Sequence, residues 1–160
     1  MLKLSKRADY GLIALKHLAI HKQDCTSAKQ IGARYRIPVP LMSKVLQVLT
    51  REGFLISEYG TNGGYRLARD PRGISALEVI RAIDGPVIVT SCSTARGDCD
   101  QSERCNVKEP LRKVHQGILS LLANITIEDL SDEDGDALSP ARAGDRLHGL
   151  EARVAVLSES

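Results

Sequence analysis

Apolar residues near the start of the chain recur at helical spacing and predict two helices. The first covers residues 5–21, where Ser5 is suited to the N-cap and one face is apolar, formed by Ala8, Leu12, Leu15, Leu18 and Ala19. A polar connection follows, and a shorter helix over residues 27–35 has Ser27 as its cap. The two helices are therefore predicted to be consecutive and closely linked.

A proline-containing turn separates the second helix from a third. Ile37-Pro38-Val39-Pro40 ends the second helix, because a residue before proline is pushed towards extended conformations. The third helix is predicted from near Pro40 to about Glu52, with proline suited to its start and Gly53 to its C-terminal cap. One face is apolar, and the other carries Ser43, Lys44, Gln47, Thr50 and Arg51.

A β-hairpin and a fourth helix are predicted next. Two β-prone runs, residues 54–59 and 65–68, flank a glycine-rich turn that contains Asn-Gly, and residues 75–83 have helical periodicity. This order of elements is that of a winged helix-turn-helix, whose helix after the turn enters the DNA major groove while the hairpin flanks the backbone. The alternative is a small α/β domain with an ordinary hairpin. We therefore expect a mainly α fold with a small β-hairpin.

The second half of the chain predicts a loop, one apolar helix and a tail. Residues 90–108 lack apolar periodicity, whereas residues 110–125 carry a broad apolar stripe that needs a partner. That partner is a second copy of the chain, the chain's own first helix, or both. The predicted units are a DNA-binding domain over 1–84, a cysteine-bearing loop over 85–109, a dimerisation helix over 110–130, and an acidic, disordered tail over 131–160.

Charge supports the DNA interpretation and narrows the alternatives. Residues 1–90 carry 14 Lys and Arg against 7 Asp and Glu, whereas residues 131–160 carry 3 against 7, so a polyanion partner is expected for the first half. With aromatic residues at 3% and no Trp, a stacking platform for single-stranded nucleic acid is disfavoured. No apolar run is long enough to span a bilayer and the start lacks a secretory signal, so we expect a cytoplasmic protein without a membrane partner.

Three of the four cysteines lie in one short window. Cys92, Cys99 and Cys105 fall within the predicted loop, and this clustering favours metal or redox chemistry in a reducing compartment. The spacing lacks the paired Cys-x2-4-Cys knuckles of a structural zinc site, so an iron–sulfur cluster is favoured over zinc and over redox-active thiols. Cys25 lies apart and is interpreted as a small buried hydrophobic residue.

Three segments together resemble the Rrf family, the bacterial winged-helix iron–sulfur regulators of the IscR, NsrR and SufR type. They are the start Lys6–Leu12, the wing Gly60–Leu67 and the three-cysteine loop, and the resemblance covers about residues 1–130. The start is most similar to the branch that regulates the SUF iron–sulfur assembly operon. The resemblance implies a homodimer paired through the C-terminal helix, with a [2Fe-2S] or [4Fe-4S] cluster, the former favoured, on Cys92, Cys99 and Cys105.

The fourth cluster ligand is where the chain departs from one branch of that family. The IscR type has a histidine three positions after the last cysteine, where this chain has Lys108, which cannot ligate while protonated. The nitric-oxide-sensing type uses an aspartate near the N-terminus of the other subunit, and Asp9 matches that place. Asp9 could equally be a carboxylate favoured at a helix start. The other candidate ligands are Glu103, Glu109 and His115.

The predicted DNA contacts fall on three elements. Phosphate contacts are expected at the start of the second helix, base contacts at the start of the third, and backbone or minor-groove contacts on the wing. The residues are Ser27 and Lys29; Leu41, Ser43 and Lys44; and Tyr59, Asn62, Gly63 and Arg66. For Leu41 burial in the core is the alternative, and for Tyr59 and Tyr65 it is packing within the hairpin.

The sequence therefore predicts a DNA-binding regulator, a repressor by preference, that senses cluster status and controls SUF genes. A nitric-oxide or redox sensor on the same scaffold is the alternative within this class, and an iron–sulfur cluster carrier is the alternative outside it. An enzyme is disfavoured, because neither a Cys-x-x-Cys motif nor a phosphate-binding glycine loop is present.

Overall fold

The computed structural model describes residues 4–22, 24–88 and 104–132. Within these ranges the chain forms six α-helices, one 3-10 turn and one antiparallel hairpin. They are α1 Lys6–Ile20, α2 Ala28–Tyr35, α3 Val39–Arg51, β1 Leu55–Glu58, β2 Gly64–Leu67, the 3-10 turn Pro71–Gly73, α4 Ala76–Asp84, α5 Lys108–Asn124 and α6 Ile127–Asp132. The predicted mainly α fold with a small hairpin is confirmed. Of the tail over 131–160 that was predicted to be disordered, residues 131 and 132 belong to α6, and the remainder lies outside the described residues.

Serine side chains begin three of the helices. The Ser5 hydroxyl accepts the backbone N–H of Ala8 at the start of α1, as predicted. Ser27 begins α2 and Ser75 begins α4, each in a capping box with the side chain three residues later. These caps satisfy N–H groups that the first helical turn leaves unpaired, which explains why the sequence located the helix starts closely.

The hairpin joins the helical core through an unpredicted backbone bridge. β1 and β2 pair antiparallel from Leu55 opposite Leu67 to Glu58 opposite Gly64. Thr26, in the connection between α1 and α2, pairs with Tyr65 through N–H to O=C bonds of 3.1 and 2.9 Å. The wing is therefore fastened at its base to the loop before α2.

The main core lies between α1, α2, α3 and the base of the hairpin. Its fully buried side chains include Leu15, Ile31, Met42, Leu46 and Leu49. Burial of each such side chain contributes about 1.5–3 kcal/mol relative to exposure, so this cluster holds the helix-turn-helix together.

Helix α5 presents apolar residues on two sides. On one side Leu119 and Leu122 pack against a second cluster of Ala8, Leu77, Ile80 and Val87, so α5 rests on α4 and the start of α1. On another side Val114 and Leu121, together with the N-cap residue Val107 just before the helix, are 45–51% exposed. The contact with the chain's own residues therefore covers only part of the predicted apolar stripe.

The segment predicted as one dimerisation helix over 110–130 contains two helices. After α5 the chain pairs with the residues before α4: Ala76 N–H donates to the Ile125 carbonyl at 2.8 Å, and Ile127 N–H donates to the Ile74 carbonyl at 2.9 Å. Ile127 is then fully buried, and α6 packs against α1. The predicted helix over 110–125 corresponds to α5, whereas α6 was not predicted, because helical periodicity cannot reveal this backbone pairing between distant segments.

Gly64 is expected to be intolerant of any side chain. A Cβ there would lie 2.7 Å from the carbonyl carbon of Thr26, a backbone atom held by the bridge to Tyr65. We expect Gly64→Ala to lower the free energy of unfolding by about 1–3 kcal/mol, the usual cost of overpacking. Gly73→Ala is the matched control, because a Cβ at Gly73 meets nothing within 4 Å. Urea unfolding curves of the two variants measure the difference, and equal losses would contradict the assignment of this contact.

Candidate nucleic-acid interface and metal-binding residues

The start of α3 presents a mixed polar and apolar surface. Met42, Val45, Leu46 and Leu49 are buried on one side of the helix, whereas Leu41 is 38% exposed and Lys44 is exposed. Ser43 is half-buried between them. Leu41 therefore lies outside the core, which leaves its side chain available to a thymine methyl group.

The two residues at the start of α2 that are predicted to meet phosphates differ in how available their side chains are. The Ser27 hydroxyl accepts the Gln30 backbone N–H at 3.2 Å and donates to Gln30 Oε1 at 2.8 Å, so it is already used in the capping box. Lys29 is exposed in the first turn of α2. A long cation at this position is suited to a phosphate, since helix N-termini favour anions.

The wing holds one fully exposed aromatic ring. Tyr59 is 98% exposed, so the alternative of packing within the hairpin is wrong for this residue. Tyr65 does pack against the main core. Asn62 is exposed in the turn, and Gly63 next to it could not carry a side chain without contact, because a Cβ would lie 2.4 Å from the Glu58 carbonyl oxygen.

Arg66, Glu58 and Cys25 form a connected set of polar side chains at the edge of the wing. Arg66 Nε donates to Glu58 Oε1, and the Cys25 thiol donates to Glu58 Oε2 at 3.2 Å. The Arg66 hydrogen bond holds the pKa of Glu58 below its usual value, and the hydrogen bond to Glu58 raises the pKa of the Cys25 thiol. Cys25 is half-buried with a polar partner, so its interpretation as a small buried hydrophobic residue is wrong.

Glu58 is the residue of this set that sequence reasoning missed. Its position at the end of a β-prone run gave no sign of a partner, and Cys25 lies 33 positions earlier. The available signal was the hairpin register, which places Glu58 and Arg66 on the same face of a two-stranded sheet.

The predicted metal ligands are only partly within the described residues. Cys105 is a half-buried free thiol shortly before α5, and Asp9 is exposed in the first turn of α1. Cys92, Cys99 and Glu103 lie outside the described ranges. Within those ranges no three His, Cys, Asp or Glu side chains are grouped to hold a metal ion. The structure thus gives positions for Cys105 and Asp9 only, because the other two predicted thiolates lie outside the described ranges.

The remaining candidate ligands differ in how strongly they are already engaged. Both carboxylate oxygens of Glu109 accept from Arg112 Nε at 3.0 Å, and this contact holds the pKa of Glu109 below its usual value. The Nδ1 atom of His115 is buried without a hydrogen-bond partner in the described part of the chain. Asp9 takes part in no ion pair among those same residues.

His17 of α1 and His21, the C-cap residue of that helix, have a structural role. His17 is buried, its Nδ1 lies 3.2 Å from the Tyr35 hydroxyl, and its ring stacks on His21 at 4.3 Å. Burial lowers the pKa of His17, which favours the neutral ring at pH 7. His17 therefore joins the end of α1 to the end of α2 through its contact with Tyr35.

Comparison with known proteins places the chain among transcriptional regulators. Residues 4–133 match the family described as Rrf2, iron-dependent transcriptional regulator. The HTH-type transcriptional regulators IscR of Vibrio campbellii and Vibrio parahaemolyticus are each 30% identical over 134 residues, which is 83% of this chain and 79% of theirs.

Two solved structures share the fold at a similar level of identity. CymR, the global cysteine regulator of B. subtilis, superposes with a TM-score of 0.70 at 28% identity, over 82% of this chain and 98% of that one. IscR of T. potens superposes with a TM-score of 0.67 at 28% identity, over 89% and 96%. None of the helices in the described ranges is both long and apolar enough to cross a membrane.

Proposed function

The chain belongs to the Rrf2 family of iron-dependent transcriptional regulators, and we propose that it is a DNA-binding repressor that senses iron–sulfur cluster status and controls SUF assembly genes. The expectation that the chain is not an enzyme is confirmed, because this family and the IscR relatives are transcriptional regulators. One observation carries the proposal. The predicted cluster loop leads through Cys105 directly into α5, and the chain after α5 is bonded to the DNA-binding domain.

DNA is read by α3 and flanked by α2 and the wing. Ser43 and Lys44 reach base edges in the major groove, and Leu41 contacts a thymine methyl group. Lys29 and Ser27 lie at phosphates beside the start of α2, where Lys29 supplies the charge. Tyr59, Asn62 and Gly63 follow the backbone along the wing, and Arg66 enters a narrow minor groove. The exposure of Lys29, Leu41, Lys44 and Tyr59 supports this arrangement.

The donor set fits an iron–sulfur cluster. Three thiolates, Cys92, Cys99 and Cys105, are the ligands that such clusters prefer, and the half-buried thiol of Cys105 is free to ligate. When bound, the cluster would supply a group whose integrity depends on iron supply and on reactive molecules such as nitric oxide. The type favoured is [2Fe-2S], with [4Fe-4S] as the alternative.

Asp9 of the partner subunit is the proposed fourth ligand. Its carboxylate is exposed, whereas Glu109 would first have to leave Arg112. The buried, unpartnered Nδ1 of His115 makes that residue the second choice. A ligand from the partner would place the cluster between two chains, where its loss changes the relative orientation of the two DNA-binding domains.

A second copy of the chain covers the exposed side of α5. Val107, Val114 and Leu121 are spaced seven residues apart, which is the repeat of a coiled-coil seam. The chain's own residues already occupy the side of Leu119 and Leu122, so the open seam needs another molecule. Homodimers are also the arrangement that places two reading helices on two half-sites of an operator.

The similarity to CymR bears on the choice between cluster sensing and the alternative functions. CymR is described as a cysteine regulator and shares this fold, so the fold alone does not imply an iron–sulfur cluster. The argument for a cluster in this chain therefore rests on the three loop cysteines. A nitric-oxide or redox sensor would use the same three thiolates with a different response. A cluster carrier would not need an exposed reading helix or a basic first half.

Anaerobically purified protein is expected to absorb in the visible range and to contain iron and sulfide in stoichiometric amounts. Asp9→Ala should shift or bleach this spectrum, because the cluster loses a ligand, while Glu109→Ala should leave it unchanged. His115→Ala is the comparison for the second candidate, and a change confined to it would assign the ligand to His115. A protein that stays colourless after reconstitution, with zinc or no metal, would refute cluster sensing.

The contacts of Lys29 and Lys44 are expected to differ in kind. Lys29→Ala should weaken binding to every duplex and lower the slope of log K against log salt by about 1, since one phosphate contact is lost. Lys44→Ala should relax discrimination at a base pair. Lys113→Ala removes the same charge from the exposed surface of α5 and is the control.

Duplexes selected from fragments of the source genome provide the probes, and failure to enrich SUF upstream regions would refute the proposed target.

Val114→Glu is expected to convert the dimer into a monomer. A carboxylate in the middle of the apolar seam would have to be desolvated against the partner helix. Gln116→Glu is the matched control, because Gln116 is exposed roughly 160° away around the helix. Sedimentation measures the oligomeric state, and affinity for a two-half-site duplex should fall about 100-fold or more. If Val114→Glu sediments as a dimer, as the control Gln116→Glu should, this seam is not the interface.

A further inference from the structure

The wing carries an acidic side chain in the place where a DNA-binding surface should be basic. Glu58 is exposed at the end of β1. The neighbouring strand β2 carries Arg66, one of the proposed DNA contacts. A carboxylate next to phosphate repels the backbone, so a purely electrostatic account gives Glu58 only an unfavourable role. Its contacts indicate a different one.

The hairpin register fixes how Glu58 meets Arg66. Glu58 pairs with Gly64 and Ile56 pairs with Arg66, so the acid and the guanidinium are diagonal neighbours on one face of the hairpin. Gly64 has no side chain to separate them. The contact uses Arg66 Nε, which is one of the five donors of a guanidinium, so the terminal nitrogens stay free of Glu58. An arginine held in this way is oriented without losing the donors that meet DNA.

The second carboxylate oxygen of Glu58 is held by a residue from outside the wing. The Cys25 thiol donates to Oε2 at 3.2 Å. Cys25 is itself fixed relative to the hairpin, because the next residue, Thr26, forms the two backbone hydrogen bonds to Tyr65. The contacts therefore run outward from the helical core, from the Cys25 thiol to the Glu58 carboxylate and then to the Arg66 guanidinium.

We propose that Glu58 is a positioning residue that aims Arg66 at the DNA minor groove and that Cys25 holds Glu58 in place. The proposal rests on the proposed function, because it requires that Arg66 contacts a duplex. Its consequence is a gain in specificity with no gain in overall attraction. A preoriented arginine meets the narrow groove of the correct sequence, while the Glu58 charge weakens attachment to any other duplex.

The test compares a selected operator duplex with a scrambled duplex of equal length. Glu58→Ala should lower the ratio of the two affinities by about fivefold or more, while scrambled DNA binds equally or more tightly. The same change in an Arg66→Ala background should leave the ratio unaltered. Glu58→Gln keeps an acceptor for Arg66 Nε–H and should retain more of the ratio than Glu58→Ala. Glu52→Ala, which removes an exposed acid at the end of α3, is the charge control.

Charge removal alone predicts the opposite pattern. If Glu58→Ala, Glu58→Gln and Glu52→Ala tighten both duplexes to the same extent, positioning is refuted. Positioning is also refuted if Glu58→Ala lowers the ratio equally in the Arg66→Ala background. If the wild-type chain selects no duplex at all, the proposed function itself fails, and this outcome is distinct from either of the others.

The role of Cys25 is tested without DNA and then with it. Since the hydrogen bond to Glu58 raises the pKa of the Cys25 thiol, Glu58→Ala should accelerate alkylation of Cys25 by iodoacetamide at pH 8. Peptide mapping by mass spectrometry measures the rate in the cluster-free protein, with Cys105 in the same sample as control. Cys25→Ala should lower the affinity ratio, whereas Cys25→Ser, which keeps a donor, should preserve it. An alkylation rate independent of residue 58, or an unchanged ratio in Cys25→Ala, would remove Cys25 from the set.

Discussion

The close approach of α1 and α4 is the contact on which the rest of the structure depends. Gly11 lies at this crossing, where a Cβ would come within 2.3 Å of the Ile83 Cδ1 atom, and Ala8 next to it on the same face is fully buried. The Ser5 N–H and hydroxyl both bond to Asp84 and hold the start of α1 at the end of α4. With these two helices together, α1 also contacts α3 and α6. The helix α1 therefore supports α3 on one side and α6 on the other.

The orientation of the wing depends on a second constraint, which is the attachment of its base to the helical core. An isolated two-stranded hairpin is marginally stable in water, so a wing needs an anchor to keep its tip in a defined place. Here the anchor is the bridge between Thr26 and Tyr65, together with Tyr65 packed against the core. Since the same connection carries Cys25, the anchor also reaches the charged edge of the wing. The tip residue Tyr59 can therefore be fully exposed without the hairpin losing its orientation.

Local signals in the sequence were sufficient for most of the DNA-binding domain. Ser5, Ser27 and Ser75 located helix starts because capping acts within three residues, and Asn62-Gly63 located the hairpin for the same local reason. The helix α6, the Thr26 bridge and the Glu58 contacts were not predicted. Each depends on pairing between segments that are distant in sequence, and no periodicity records such pairing. For the candidate site, the sequence predicted Arg66 and Tyr59 as DNA contacts, but it gave no sign of the contact between Arg66 and Glu58.

The two ends of α5 explain how a signal in the loop could reach DNA. Its C-terminal end cannot turn independently of the DNA-binding domain, because Ile125 and Ile127 are bonded to Ala76 and Ile74, and Glu128 lies between Lys22 and Arg72. Its N-terminal end begins just after Cys105. A rigid helix of 17 residues spans about 25 Å, so in the proposed mechanism a small rotation at the loop end would displace α3. Since the open seam of α5 is shared with the partner in the proposed dimer, any such rotation alters both half-site contacts together. Under the proposed function, the spacing between the two copies of α3 would then be the quantity that the loop controls.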